Sequence, residues 1–311
     1  MEWQTKVAVE PLKNRFSYAS RFLFTGSCFA QELAEKMQDL HFQVAPDAFG
    51  ALFNPASIVS ALERLEGAVP FNASEVRKFP YGAYGSFSHH TLFSKKNAAA
   101  FLEHANARLQ ETAVFFEKTN TVILTLGTAW VYLYEGKAVA NCHKLPGHYF
   151  ERVFLEPEQI VDLMTPVLQR NLDKLWVLTV SPVRHLGEGA HGNQLSKASL
   201  LLATEYLQKL FDNIYYFPSY EIVMDQLRDY RFYGPDRCHL TQEATNYILK
   251  TFIKVALDEN TIQLSEKVEK LNKSLLHKPF LSFTEEHALF VKKLDKQRDK
   301  LLKTIANKRN L

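Results

Sequence analysis

FLFTGSCFAQELAEKMQDL, residues 22–40, decides the fold. Its first four residues, Phe22 to Thr25, are an apolar run rich in aromatics that predicts a strand, and Phe29 to Leu40 predict a helix, with only Gly26, Ser27 and Cys28 between them. A strand that passes so directly into a helix is half of a parallel βα unit. Four more short runs repeat the theme at Phe42 to Val44, Thr121 to Leu126, Leu175 to Val180 and Asn213 to Phe217. Two of them, TVILTL and LWVLTV, are apolar almost throughout, as strands buried on both faces must be. Helical patterns at 54–65, 157–165 and 195–211 fill the intervals, with Pro157 suited to a first turn and Pro166 expected to end or kink its helix. The prediction is an α/β fold with a five-stranded parallel sheet.

Two stretches break the rhythm. Residues 72–97 carry Gly, aromatics and the pair His89 and His90 without helical period, and read as a long loop; residues 131–143 read as a hairpin turning at Glu135 and Gly136. Beyond about residue 260 the chain becomes rich in Lys, Leu and Glu, Pro279 separates two helical segments, and Ser282 to Glu285 form a capping box for the second. The expected division is a catalytic domain over 1–260 and a basic helical extension over 261–311. Leu294, Leu301 and Ile305 are too few for a coiled coil, and the expectation is a helical pair packed on the domain, with the C-terminal helices as the candidate surface for a homo-oligomer.

Charge narrows the function. Thirty-seven basic and 34 acidic residues give +3 overall, but residues 261–311 hold 12 Lys or Arg against 6 Asp or Glu, so the first 260 residues net −3. A mildly acidic body argues against nucleic acid as a partner, because phosphate-backbone binding needs a concentrated basic surface on the fold itself. No apolar run reaches the length of a membrane span or a signal peptide, which predicts a cytoplasmic protein. Three cysteines, Cys28, Cys142 and Cys238, provide neither a closed disulfide framework nor a spaced metal site, and no cofactor or metal is expected.

Ser27 falls where open α/β sheets bind ligands, at the carboxyl end of a strand, with the amides of a helix N-terminus behind it. It reads either as a nucleophile or as a plain N-cap. After the last strand comes YGPDRCHLT, residues 233–241, in which Asp236 and His239 are three apart, so a single turn sets the carboxylate beside the imidazole as orienter and base. Cys28 is the rival nucleophile, since a helix N-terminus lowers a thiol pKa, but it is expected to turn toward the neighbouring layer as a structural thiol. His143, Arg184 and His185 lie in loops after strands and are candidates for substrate contact, with hydrogen-bonded histidines and a surface salt bridge as the plain alternatives. Tyr81, Tyr84 and Phe87 would stack on a sugar ring or close a small apolar core.

Gly26-Ser27-Cys28-Phe29-Ala30 resembles the signature of the GSCFA-domain family, which is grouped with the SGNH (GDSL-like) hydrolases; the likeness runs from about residue 20 to about 255, through Leu126 to Tyr132, Asn141 to Lys144, Ser181 to His185 and Pro218 to Glu221. It implies a flavodoxin-like three-layer sandwich and a triad of Ser27, His239 and Asp236. It also implies oxyanion donors at the Cys28 amide, a glycine beyond the second strand, Gly50, and a side-chain amide near Gly127. The last departs from the superfamily pattern, because Gly127-Thr128-Ala129-Trp130 has no asparagine; Asn54, then the Thr128 hydroxyl, are the substitutes. A lost donor is worth roughly 3 kcal/mol of transition-state stabilisation. The reading at this level is a serine esterase acting on a small-molecule or glycan ester. An acyltransferase using the same acyl-enzyme and a non-catalytic scaffold are the alternatives.

Overall fold

The computed structural model describes residues 4–276 and 285–309; Pro279 and residues 282–284 of the anticipated cap lie outside them. In chain order the strands are β1 (Arg21–Gly26), β2 (Gln43–Val44), β3 (Arg77–Lys78), β4 (Tyr84–Gly85), β5 (Thr121–Leu126), β6 (Trp130–Tyr134), β7 (Lys137–Val139), β8 (Glu151–Phe154), β9 (Leu175–Val180) and β10 (Ile214–Tyr216). The helices are α1 (Cys28–Asp39), α2 (Pro55–Gly67), α3 (Ala98–Glu117), α4 (Pro157–Arg170), α5 (Gly189–Leu210), the single turn α6 (Ser219–Glu221), α7 (Gln242–Ala256), α8 (Glu259–Leu275) and α9 (Glu285–Arg309).

The central sheet has five parallel strands in the order β10-β9-β5-β1-β2. All five correspond to the apolar runs. Alternation along the strands feeds two cores: Leu23, Val122, Leu124, Trp176 and Leu178 join the helices α2 to α5 on one face. Phe22, Ile123 and Val177 join α1, α7 and α8 on the other. The chain crosses from one face to the other between β1 and β5, which are adjacent although β2 intervenes in sequence, and the carboxyl ends of those two strands form the switch point at which such sheets bind ligands.

Several expectations change. Pro166 neither ends nor breaks α4, which runs through it to Arg170; the proline is exposed, so the carbonyl it cannot serve is left to water. The helix α3, capped by the Asn97 side chain on the Ala100 amide, was not anticipated. The predicted hairpin is β6–β7, turning at Glu135 and Gly136, both with positive φ, but β6 also pairs with β8 to make a three-stranded antiparallel sheet. The long loop holds the two-residue hairpin β3–β4. The C-terminal helices pack on the domain, as expected: Leu264, Val268 and Ile305 share the core of Phe22 and Phe29, and Arg309 donates to the His41 carbonyl at 2.6 Å. Among the described residues no helix is long and apolar enough to cross a membrane.

Candidate functional site

Gly26 makes the turn out of β1. Its φ is +119°, and a Cβ there would lie 2.1 Å from the Thr125 carbonyl oxygen, so only glycine lets β1 close against β5 at this point. Ser27 then donates its amide to the same carbonyl at 3.1 Å and starts α1 from an extended conformation. As the first two residues of the helix, Cys28 and Phe29 have amides with no intrahelical acceptor, and both amides reach the Cys28 sulfur.

The neighbours Ser27 and Cys28 go different ways. Ser27 is 0% exposed, and its Oγ is sealed from solvent with no hydrogen-bond partner. It makes no hydrogen bond to His239. Cys28 is half-buried and lines a cavity of about 380 Å³ that opens over the switch point, and His239 lines the same cavity. Cys28 packs against the core that α1 shares with α7, as expected, and from the first helical position it also reaches the cavity, while the extended residue before it is buried. The thiol pKa is raised above its ordinary value: burial, the largest cause, and the nearby Glu32 outweigh the lowering by the two helix amides and the buried Lys197.

His239 stands on a tight turn. Asp236 accepts the amides of Cys238 and His239 at 2.9 and 3.0 Å through one oxygen and meets His239 Nδ1 at 2.6 Å with the other. Arg237, with φ +60°, supplies the left-handed bend that this geometry needs. The His239 hydrogen bond, then the two amides, hold the Asp236 carboxyl down to about 2, so it is ionised and fixes the proton on Nδ1. Nε2 is left as the basic nitrogen. The turn is bound to the loop after β9 through the Arg184 amide and the Cys238 carbonyl at 3.2 Å.

Other anticipated residues sort clearly. Asn54 lines the cavity, its Oδ1 capping α2 on the Ser57 amide at 2.8 Å and its Nδ2 making no bond within the described residues. His185 lines it with Nε2 unpartnered, and burial, with Lys197 and His239 nearby, pushes its pKa down to about 4, so the ring is neutral. Thr128 lines it too, but its hydroxyl is held by Ser196 at 3.1 Å and accepts the Trp130 amide. Arg184 reaches the rim and lays its guanidinium against Tyr233 and Tyr230 at 4.4 and 5.4 Å. Gly127 is structural: it donates to the Phe53 carbonyl and a Cβ would strike that oxygen at 2.8 Å.

Three expectations are overturned. Gly50 is absent from this cavity and its amide is taken by Asp47 Oδ1 at 2.7 Å, so it cannot hold an oxyanion here. His143 is fully buried, with Nε2 donating to the Ser86 carbonyl at 2.8 Å, Nδ1 accepting from Tyr81 at 2.6 Å and its ring stacked on Phe79 at 3.9 Å; it holds the loop together and lines none of this cavity. Tyr84 packs on the core beneath the loop and lines none of this cavity.

Sequence reasoning missed Phe53, Trp130, Cys142 and Lys197. Trp130 lines the cavity with its indole N–H unpartnered, and Cys142 adds a second thiol to the wall. Lys197 is fully buried on α5 without a carboxylate, donating to the carbonyls of Gly127 at 2.6 Å and Ser181 at 2.7 Å, the residues that follow β5 and β9. Burial pushes its pKa down to about 7, against a favourable interaction with the Cys28 thiolate. Among the described residues no cluster of His, Cys, Asp and Glu could hold a metal ion.

Residues 21–252 match the GSCFA family. No curated protein and no solved structure matches the chain.

Proposed function

The chain belongs to the GSCFA family, and from that premise we propose that it is an acyl-transfer enzyme of the SGNH type, acting through a covalent acyl-enzyme on Cys28. The observation that carries this reading is the single cavity at the switch point that holds Cys28 and His239, with Asp236 at 2.6 Å behind the imidazole. Its wall of Phe53, Trp130, Tyr132, Val139 and Val183 suits an uncharged acyl group.

In the first half-reaction His239 Nε2 takes the thiol proton and the Cys28 sulfur attacks the acyl carbonyl carbon. The negative oxygen that forms is held by the amides of Cys28 and Phe29 and by Asn54 Nδ2, which replaces the side-chain amide lacking near Gly127. Collapse of the adduct breaks the bond to the leaving alcohol, which departs with the proton from His239. A water, or an acceptor alcohol, then gives its proton to His239 and attacks the thioester, and the thiol is restored. The substrate class is an ester of a polar alcohol, and a glycan hydroxyl fits that description.

A second reading, with Ser27 as nucleophile, is favoured by its unpartnered buried hydroxyl. One experiment separates the two. The protein is incubated with p-nitrophenyl acetate, quenched in acid, and the acetyl group located by peptide mass spectrometry. The expected adduct is on Cys28, lost in Cys28→Ala and kept in Ser27→Ala, with His239→Ala slowed by roughly 10²- to 10⁴-fold. An adduct on Ser27 that survives Cys28→Ala transfers the role to the serine. No adduct at either residue, with no turnover, rejects the enzyme reading in favour of a scaffold.

A further inference from the structure

Successive side chains of a strand alternate between its two faces, so Trp130, Tyr132 and Tyr134 of β6 share one face. Trp130 and Tyr132 line the cavity of Cys28 and His239. Tyr134 lines a second cavity, of about 390 Å³, together with Arg77, Lys78, Phe79, Phe87 and Tyr149. At about 3.3 Å per residue, the step from Trp130 to Tyr134 is ~13 Å.

The second cavity has a distinct chemistry. Arg77 lies against the rings of Tyr134 at 5.0 Å and Phe87 at 5.4 Å, which holds its planar head in place. Lys78, the next residue of β3 and so directed from the other face of the strand, also lines the cavity, with its ammonium 6.0 Å from the Tyr84 ring. Neither has a carboxylate partner among the described residues. Two cations without carboxylate partners among the described residues, at one cavity with aromatic walls, match an anion carried on a ring: the guanidinium binds a phosphate in bidentate fashion and the ring packs against the aromatic wall. The apolar first cavity has no such pair.

We propose that these cavities are two subsites for one extended substrate, whose reacting ester lies at Cys28 and whose far end, ~13 Å away along β6, carries a ring-bearing phosphate held by Arg77 and Lys78. The identity of the near end rests on the acyl-transfer reading above; the phosphate subsite does not.

The test measures binding of phenyl phosphate to the full chain by isothermal titration calorimetry, with phenol, benzoate and inorganic phosphate as separate arms. Phenyl phosphate is expected to bind, phenol not, and inorganic phosphate more weakly for want of a ring. The double variant Arg77→Gln with Lys78→Gln changes only exposed side chains and is expected to weaken phenyl phosphate at least tenfold. Arg108→Gln, a basic residue paired with Glu111 elsewhere, and Cys28→Ala are expected to leave it unchanged. Benzoate binding as tightly as phenyl phosphate would replace the phosphate with a carboxylate and overturn the assignment. So would equal phenyl phosphate affinity in the double variant and the wild type, or no binding to either. Loss of binding in the double variant, in a protein that forms no acyl-enzyme, would leave the phosphate subsite standing and reject the acyl-transfer reading alone.

Discussion

Asn54 joins two jobs in one side chain, and they can be pulled apart. Its Oδ1 caps α2 on Ser57, while its Nδ2 is free at the cavity. Asn54→Asp keeps the cap, since aspartate is as good an N-cap as asparagine, but it removes the N–H donor and sets a negative charge where the oxyanion forms. The variant is expected to melt within a few degrees of the wild type and to lose at least ~10²-fold in kcat. Asn54→Ala should lose both the rate and about 1 kcal/mol of stability. Thermal melts beside steady-state kinetics check this; an Asn54→Asp enzyme of normal kcat removes Asn54 from the oxyanion site. At this scale the sequence was partly legible. Asp236 and His239 could be paired because a three-residue spacing allows few geometries. That Cys28 and not Ser27 lines the cavity was not legible, because it depends on which residue takes the first helical dihedrals, and both suit a strand-to-helix junction. His143 misled because a histidine two residues beyond Asn141 looks alike whether it faces solvent or stacks on Phe79.

At the scale of elements, α5 fixes the site from below. Lys197 joins the loop after β5 to the loop after β9 through two carbonyls, and those loops carry Thr128, Trp130, Arg184 and His185 to the cavity. Its pKa of about 7 in the folded protein lies far below the ordinary value near 10.4. Between those values the unfolded chain holds the proton that the native protein has released, so stability rises with pH through this window, by up to ~1.4 kcal/mol per pH unit, and the gain is lost as pH falls through about 7. Lys197→Met removes that slope and leaves two buried carbonyls without a donor. Urea denaturation at pH 7, 8 and 9 is expected to show a rising stability in the wild type and a lower, flatter one in the variant; parallel slopes would mean that Lys197 stays charged. Nothing in the stretch Ser196-Lys197-Ala198-Ser199 announced a buried ammonium, since a lysine among small residues usually faces water. The helix α3 was legible but unread: Phe101, Ala105, Leu109, Thr112 and Phe116 are its buried stripe, behind the Asn97 cap. The pairing of β8 with β6 joins residues about twenty apart and left no local signature.

Across the whole molecule, burial disfavours the charged form of several histidines, three of them strongly. Burial pushes His89 down to about 3, and His143 and His185 to about 4. The unfolded chain protonates each near pH 6.5, so stability present above that pH is lost as pH falls toward 4, at up to about 4 kcal/mol per pH unit for three protons. His89 is enclosed by Phe49, Phe71, Phe93 and Phe101, and His89→Phe is expected to remove about a third of the slope of stability against pH between 6 and 4.5, measured by urea melts. An unchanged slope would place the proton uptake elsewhere.

The division at residue 260 meets a physical test on the same scale. Composition changes there because α8 and α9 are amphipathic with a charged outer face, whereas the sheet is buried on both sides. The inner faces nevertheless belong to one core: Ile305, 1% exposed, lies in the cluster with Phe22 of β1 and Phe29 of α1, the helix that presents Cys28. Ile305→Ala is expected to cost ~2–5 kcal/mol, the usual loss for a large aliphatic side chain cut to a methyl in a close-packed core. Leu302→Ala, three residues earlier and 38% exposed, should stay within ~0.5 kcal/mol. Truncation after Leu276 removes Ile305 together with the rest of α9 and is expected to destabilise the protein by at least as much as Ile305→Ala. Acyl-enzyme formation on Cys28 should fall with it, because α9 and α1 share one core. A truncated chain that melts with the wild type and labels at the same rate would show instead that α9 is an appendage, and that the unit carrying the site ends before it.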